Sequence, residues 1–100
     1  MLKEIDPNFS YENITEEIAN YVITRDRGLC QLCGKVGAEI HHIIFKSKMG
    51  DNKPNNLTLL CKECHTGQFG VHGISNKNIA KRLFERVLRN EKLFRERLTS

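Results

Sequence analysis

The sequence predicts a small α+β fold: a β-hairpin and a short helix stapled by a four-cysteine metal knot, flanked by an N-terminal and a C-terminal helix. Three observations carry this. The cysteines stand in two Cys-x-x-Cys pairs, Cys30/Cys33 and Cys61/Cys64. Between the pairs an isoleucine-rich run, "AEIHHIIF", a polar stretch, "KSKMGDNKPNN", and a second apolar run, "LTLLC", follow one another. On either side, apolar residues recur at helical spacing.

The first block predicts a helix from near Asn13, whose side chain is placed to cap it with Glu16 reaching back. Ile14, Ile18 and Val22 share one face, and Gly28 is a natural stop. Ahead of it, Pro7 and Asn8 mark an extended or turning lead-in. The second block, residues 29–73, holds every cysteine and every histidine. Its isoleucine run reads as a strand, and Gly50 and Pro54 punctuate the polar turn. "LTLLC" then reads as a second short strand or the approach to a helix from about Lys62. The third block predicts a basic amphipathic helix over residues 75–98. Ile79, Leu83 and Val87 form a stripe thickened by Ala80, Phe84 and Leu88, and the pattern weakens through Phe94 and Leu98. No repeat or low-complexity linker separates the blocks. One domain over residues 1–100 is therefore expected, with its core at about 25–73.

A chain of 100 residues, 39% hydrophobic and without tryptophan, has little from which to build a generous core. A bound metal would supply what the core cannot. The opening "MLKEIDPNF" lacks a basic-then-apolar leader, and no stretch approaches a membrane span, so an intracellular setting is expected, the cytoplasm of a bacterial or phage-infected cell. A reducing compartment argues for metal over disulfides. Charge is uneven: residues 1–23 hold one lysine against five acids, a net of −4. Residues 76–100 hold eight Lys/Arg against three glutamates, a net of +5. With a pI near 9.0, that imbalance points to a polyanion, most simply nucleic acid.

Each Cys-x-x-Cys pair forms a knuckle that presents two thiolates, and two knuckles complete a tetrahedron around one structural zinc. Iron on four thiolates is the alternative metal, but His65 stands where a rubredoxin-like knuckle has glycine after Cys64. Four buried thiols without metal are the bland alternative.

His41 and His42 are adjacent, Asn56 follows His42 by fourteen residues, and His65 follows Asn56 by nine. The stretch "EIHHIIFKSKMGDNKPNNLTLLCKECH" resembles the HNH (ββα-metal) endonuclease family. "RDRGLCQLCG" is similar to the entry of its subset with a structural four-cysteine zinc. The resemblance covers roughly residues 25–73. It implies a hairpin–helix core that hydrolyses DNA phosphodiester bonds with one divalent ion, Mg²⁺, Mn²⁺ or similar. His42 would be the general base, and His41 and His65 ligands of the catalytic ion. Asn56 would brace the hairpin loop and so aim the base. The last ligand is left open between His72 and water.

A phosphodiester cut needs an activated water, a cation on the developing charge and help for the departing oxygen, and imidazoles suit the first two tasks. Lys46, Lys48 and Lys53, in the hairpin loop, are placed to meet phosphates. The chain is too short for much base recognition, so nicking or loosely specific cutting is expected. A homodimer, or a larger phage or mobile-element complex, is the assembly to look for. The rival reading is a zinc-stabilised nucleic-acid-binding module without cleavage; it needs none of His42, Asn56 and His65. An iron electron carrier is a third reading and would be coloured.

Overall fold

A helix begins at Glu16, not at Asn13. α1 (Glu16–Arg25) is capped by Thr15, whose hydroxyl accepts the Ile18 amide at 3.3 Å, while Glu16 and Glu17 place negative charge in the first turn. The cap lies two residues beyond Asn13 because Thr15 is the residue with extended backbone angles ahead of the first turn. The helix ends before Gly28. Arg27 and Gly28 both take left-handed conformations, φ 59° and 69°, and the Gly28 amide reaches back to the Ile23 carbonyl at 2.8 Å. The computed structural model describes residues 4–44, 50–66 and 77–99.

β1 (Glu39–His42) and β2 (Leu57–Leu60) form a two-stranded antiparallel sheet, with Glu39 opposite Leu60 and His42 opposite Leu57. β1 is half the length of the isoleucine run that announced it. A short 3₁₀ turn at Pro54–Asn56 leads directly into β2, and α2 (Lys62–Thr66) follows it. α3 (Lys77–Thr99) then runs unbroken through the region where its apolar pattern weakens. Twenty-three residues give it about 34 Å of length.

That length lets α3 serve two cores. Leu83 and Val87 pack with Cys30, Ile43, Leu60 and Cys61 in one cluster. Phe94 packs with Ile5, Ile18, Tyr21, Val22 and Leu57 in the other. Phe94 meets the Tyr21 ring edge-on at 5.2 Å, so the weak-looking end of the stripe is buried after all. Among the described residues no helix is long and apolar enough to cross a membrane.

Between the cores lies a buried polar knot. Arg25 is 1% exposed and Asp26 2%. The Arg25 guanidinium donates to both Asp26 carboxylate oxygens at 3.0 and 3.1 Å, to the Pro54 carbonyl at 2.6 Å, and to the Leu57 carbonyl. Asp26 in turn accepts from the Leu59 amide and from Asn90 on α3, each at 3.0 Å. One ion pair thus ties α1, the 3₁₀ turn, β2 and α3 together. Close packing continues at Gly37, whose amide donates to the Gly28 carbonyl at 2.8 Å. A Cβ there would fall 2.4 Å from the Leu59 Cγ, which leaves space only for hydrogen.

Candidate active site

The two knuckles meet. The Sγ atoms of Cys30, Cys33, Cys61 and Cys64 all lie within 4.8 Å of one another, and those of Cys33 and Cys61 are 3.6 Å apart. A tetrahedral zinc with Zn–S bonds near 2.3 Å requires sulfurs about 3.8 Å apart. The four thiols therefore fit one ion. Left-handed Gly34, φ 79°, closes the first knuckle, where its amide donates to the Cys30 carbonyl at 2.9 Å. Electrostatics favour ionisation at Cys30. Burial opposes it, but the backbone amides of Cys33, Cys61 and Leu32 outweigh burial and bring the thiol down to about 6. Burial and the neighbouring sulfurs of Cys61, Cys33 and Cys30 push the Cys64 thiol up.

The second knuckle carries the start of α2, so His65 stands one residue past Cys64 and faces β1. Its ring meets the His41 ring edge-to-face, with centroids 5.1 Å apart. Glu39, two residues before His41 on the same face of β1, lies 3.2 Å from His65 Nδ1. A carboxylate only accepts, so Nδ1 carries the proton and the neutral ring keeps its lone pair on Nε2. Glu39 is a site residue that sequence reasoning passed over. Its signal was the i, i+2 spacing from His41, which puts both on one face of a strand. Among the described residues only the cysteines form a set of three or more such ligand atoms within 4.8 Å of one another.

His42 turns to a different partner. β1 ends at His42, and its Nε2 lies 2.8 Å from Asn52 Oδ1. The Asn52 amide nitrogen donates to the carbonyls of Tyr11 and Glu12, both at 3.0 Å. With both N–H groups directed there, the amide oxygen must face the ring, and a flipped amide would set oxygen against two carbonyls. Nε2 is thus the protonated nitrogen of the neutral ring, and Nδ1 carries the lone pair. Asn52 is 4% exposed, and it too was absent from the sequence-based set.

Asn56 closes the loop between the strands. Its Oδ1 accepts the Ile44 amide at 2.8 Å, while Nδ2 donates to the carbonyls of Ile44 at 3.1 Å and Asp51 at 2.9 Å. One side chain therefore spans both ends of the loop. Lys53 pairs with Asp51 at 3.4 Å, which draws part of its charge away from a phosphate role. Lys46, Lys48 and His72 lie outside the described residues.

Residues 30–68 match the family model described as HNH endonuclease. No curated protein matches the chain. The match spans both knuckles, the paired histidines, Asn56 and His65. By this match and by its hairpin, short helix and four-cysteine cluster, the central segment of the chain is similar to the HNH endonuclease family.

Proposed function

We propose that the protein is a metal-dependent DNA endonuclease that nicks or cuts with loose specificity, His42 acting as general base. The observation that carries this reading is the hydrogen bond from His42 Nε2–H to Asn52 Oδ1. It holds the ring at a fixed angle and leaves Nδ1 as the atom that takes a proton from water. As that proton moves to Nδ1, the water oxygen bonds to phosphorus and the bond from phosphorus to the 3′ oxygen breaks. The imidazolium so formed keeps its Nε2–H bond to the Asn52 oxygen.

His41 and His65 are the residues that would hold the catalytic ion, with the Nε2 lone pair of His65 oriented by Glu39. Such an ion supplies positive charge to the phosphate oxygens and to the departing oxygen. With two imidazoles as protein ligands, such an ion would keep positions for phosphate and water. Asn56 acts at one remove, fixing the loop that carries Asn52 and thereby the base. The cysteine cluster holds zinc structurally, since four thiolates leave no open position.

The test is incubation of supercoiled plasmid with the zinc-loaded protein, with and without added Mg²⁺ or Mn²⁺. Nicked and linear DNA should accumulate only with the added ion. Plasmid left intact under every divalent ion, by protein that still binds it, would select the binding-module reading instead.

A further inference from the structure

Four of the five arginines of α3 line one cleft. Two adjoining hollows, of about 220 and 410 Å³, run between α3 and the approach to the first knuckle. Arg86 and Arg89 line both; Arg27 and Arg97 line the smaller and Arg82 the larger. The lysines of α3 whose side chains are described, Lys81 and Lys92, line neither. Arginine presents a planar fork that grips phosphate oxygens in pairs, whereas lysine offers a point charge, so this segregation favours phosphate over plain solvation.

Neutralisation is also missing where it would be expected. Glu85 lies within helical reach of Arg82 and Arg89, and it lines the larger hollow with them and Arg86. Yet among the described residues no ion pair engages Arg27, Arg82, Arg86 or Arg89, while Arg25 and Arg95 each pair with a carboxylate. The acid on the floor, Asp26, is consumed by Arg25, Asn90 and the Leu59 amide. Spacing matches as well. Arg82, Arg86 and Arg89 fall at i, i+4 and i+7, one stripe about 10 Å long. Long arginine arms on that stripe can each meet a separate phosphate of one strand.

We propose that this cleft is a phosphate track that holds the backbone of duplex DNA, through Arg82, Arg86 and Arg89 on α3 and Arg27 across from them. It rests on the nuclease reading only in taking DNA as the partner. None of the four arginines lies within the matched segment 30–68. Contacts of this kind position the duplex and do not read its sequence.

The experiment is fluorescence anisotropy of a labelled 20-base-pair duplex titrated with the full, zinc-loaded chain, without added divalent ion, across a range of KCl. The combined variant Arg82→Ala/Arg86→Ala/Arg89→Ala alters only exposed side chains, and circular dichroism checks its fold. Its log K against log [salt] slope should fall in magnitude by about 2.7, three lost phosphate contacts at ~0.9 each. Lys81→Ala/Lys92→Ala removes two charges from the same helix outside the cleft and should lower the slope by less than ~0.5. Equal loss per charge in the two variants would mean a diffuse field and overturn the track, as would a parent that binds no duplex. Plasmid that is never nicked, alongside arginine-dependent binding, would remove the nuclease reading and leave the track standing.

Discussion

Asn52 and His42 form a pair in which the amide decides which imidazole nitrogen carries the proton. The amide nitrogen is committed to two backbone carbonyls, so its oxygen meets His42 Nε2 at 2.8 Å and the lone pair falls on Nδ1. His42→Ala should lower the nicking rate by on the order of 10²–10⁴, with DNA binding nearly intact and no rescue by added Mn²⁺. Rescue by Mn²⁺ would mean that His42 holds the ion and that its role and that of His41 should be exchanged.

Asn52 should reveal itself in the pH profile. Asn52→Asp sets a carboxylate against Nε2–H, which favours the charged ring. Because only the neutral ring can take a proton, the rising limb of activity should move to higher pH. Asn52→Ala should lower the rate on the order of 10–100-fold, as loss of an orienting partner does at metal-bound histidines. If Asn52→Asp merely scales the rate and leaves the profile in place, Asn52 is structural and does not position the base.

Glu39 offers a separate handle on the ion. Glu39→Ala removes the carboxylate at His65 Nδ1. The Mn²⁺ concentration for half-maximal nicking should rise on the order of 10–100-fold, while the rate at saturating Mn²⁺ changes little. His41→Ala should raise that concentration further. An unchanged Mn²⁺ dependence in both variants would remove the ion from this face of β1.

Chelation should separate the two metals. Thiolates hold zinc far more tightly than two imidazoles hold a hard divalent ion. Mild chelation should abolish nicking with the circular dichroism spectrum unchanged, and Mg²⁺ or Mn²⁺ should restore it. Metal analysis should still return about one zinc per chain. Cys61→Ala should lose that zinc and, with it, the fold of the central segment. A well-folded, zinc-free Cys61→Ala protein would show that the cluster is not the staple.

The buried Arg25–Asp26 pair makes a claim about stability alone. Asp26→Ala would leave the buried guanidinium only the more distant Glu91 carboxylate, at 3.9 Å, at a cost on the order of 3–5 kcal/mol. Arg25→Lys should also destabilise, because one ammonium cannot reach Asp26 and the carbonyls of Pro54 and Leu57 together. Denaturant midpoints measure both. A stability of Arg25→Lys equal to the parent would mean that the carbonyl contacts contribute nothing.

The hairpin, α2 and the four-cysteine cluster were legible because their cues are local: knuckle spacing, an isoleucine-rich run and turn residues. The cap of α1 was misplaced by two residues, since Asn13 and Thr15 are both competent caps and only the path of the chain selects between them. The last two turns of α3 looked weak because Phe94 buries against Tyr21, a partner more than seventy residues away. Glu39 could have been found from its shared face with His41. Asn52 could not. Its partners are a histidine across a loop and two backbone carbonyls, and carbonyls leave no trace in residue identity. Arg25 and Asp26 were hidden likewise, as two charged residues at a helix end that read by default as solvated.

Gly37 carries a consequence for descent. Its missing Cβ would collide with the branch point of Leu59, a buried side chain that cannot swing aside without disturbing β2. Positions 37 and 59 should therefore vary together among homologous chains. Where 59 stays as large as leucine, 37 should remain glycine; where a side chain appears at 37, position 59 should have shrunk first. The order of those two changes is itself constrained, since the reverse order passes through an ancestor with two groups in one place.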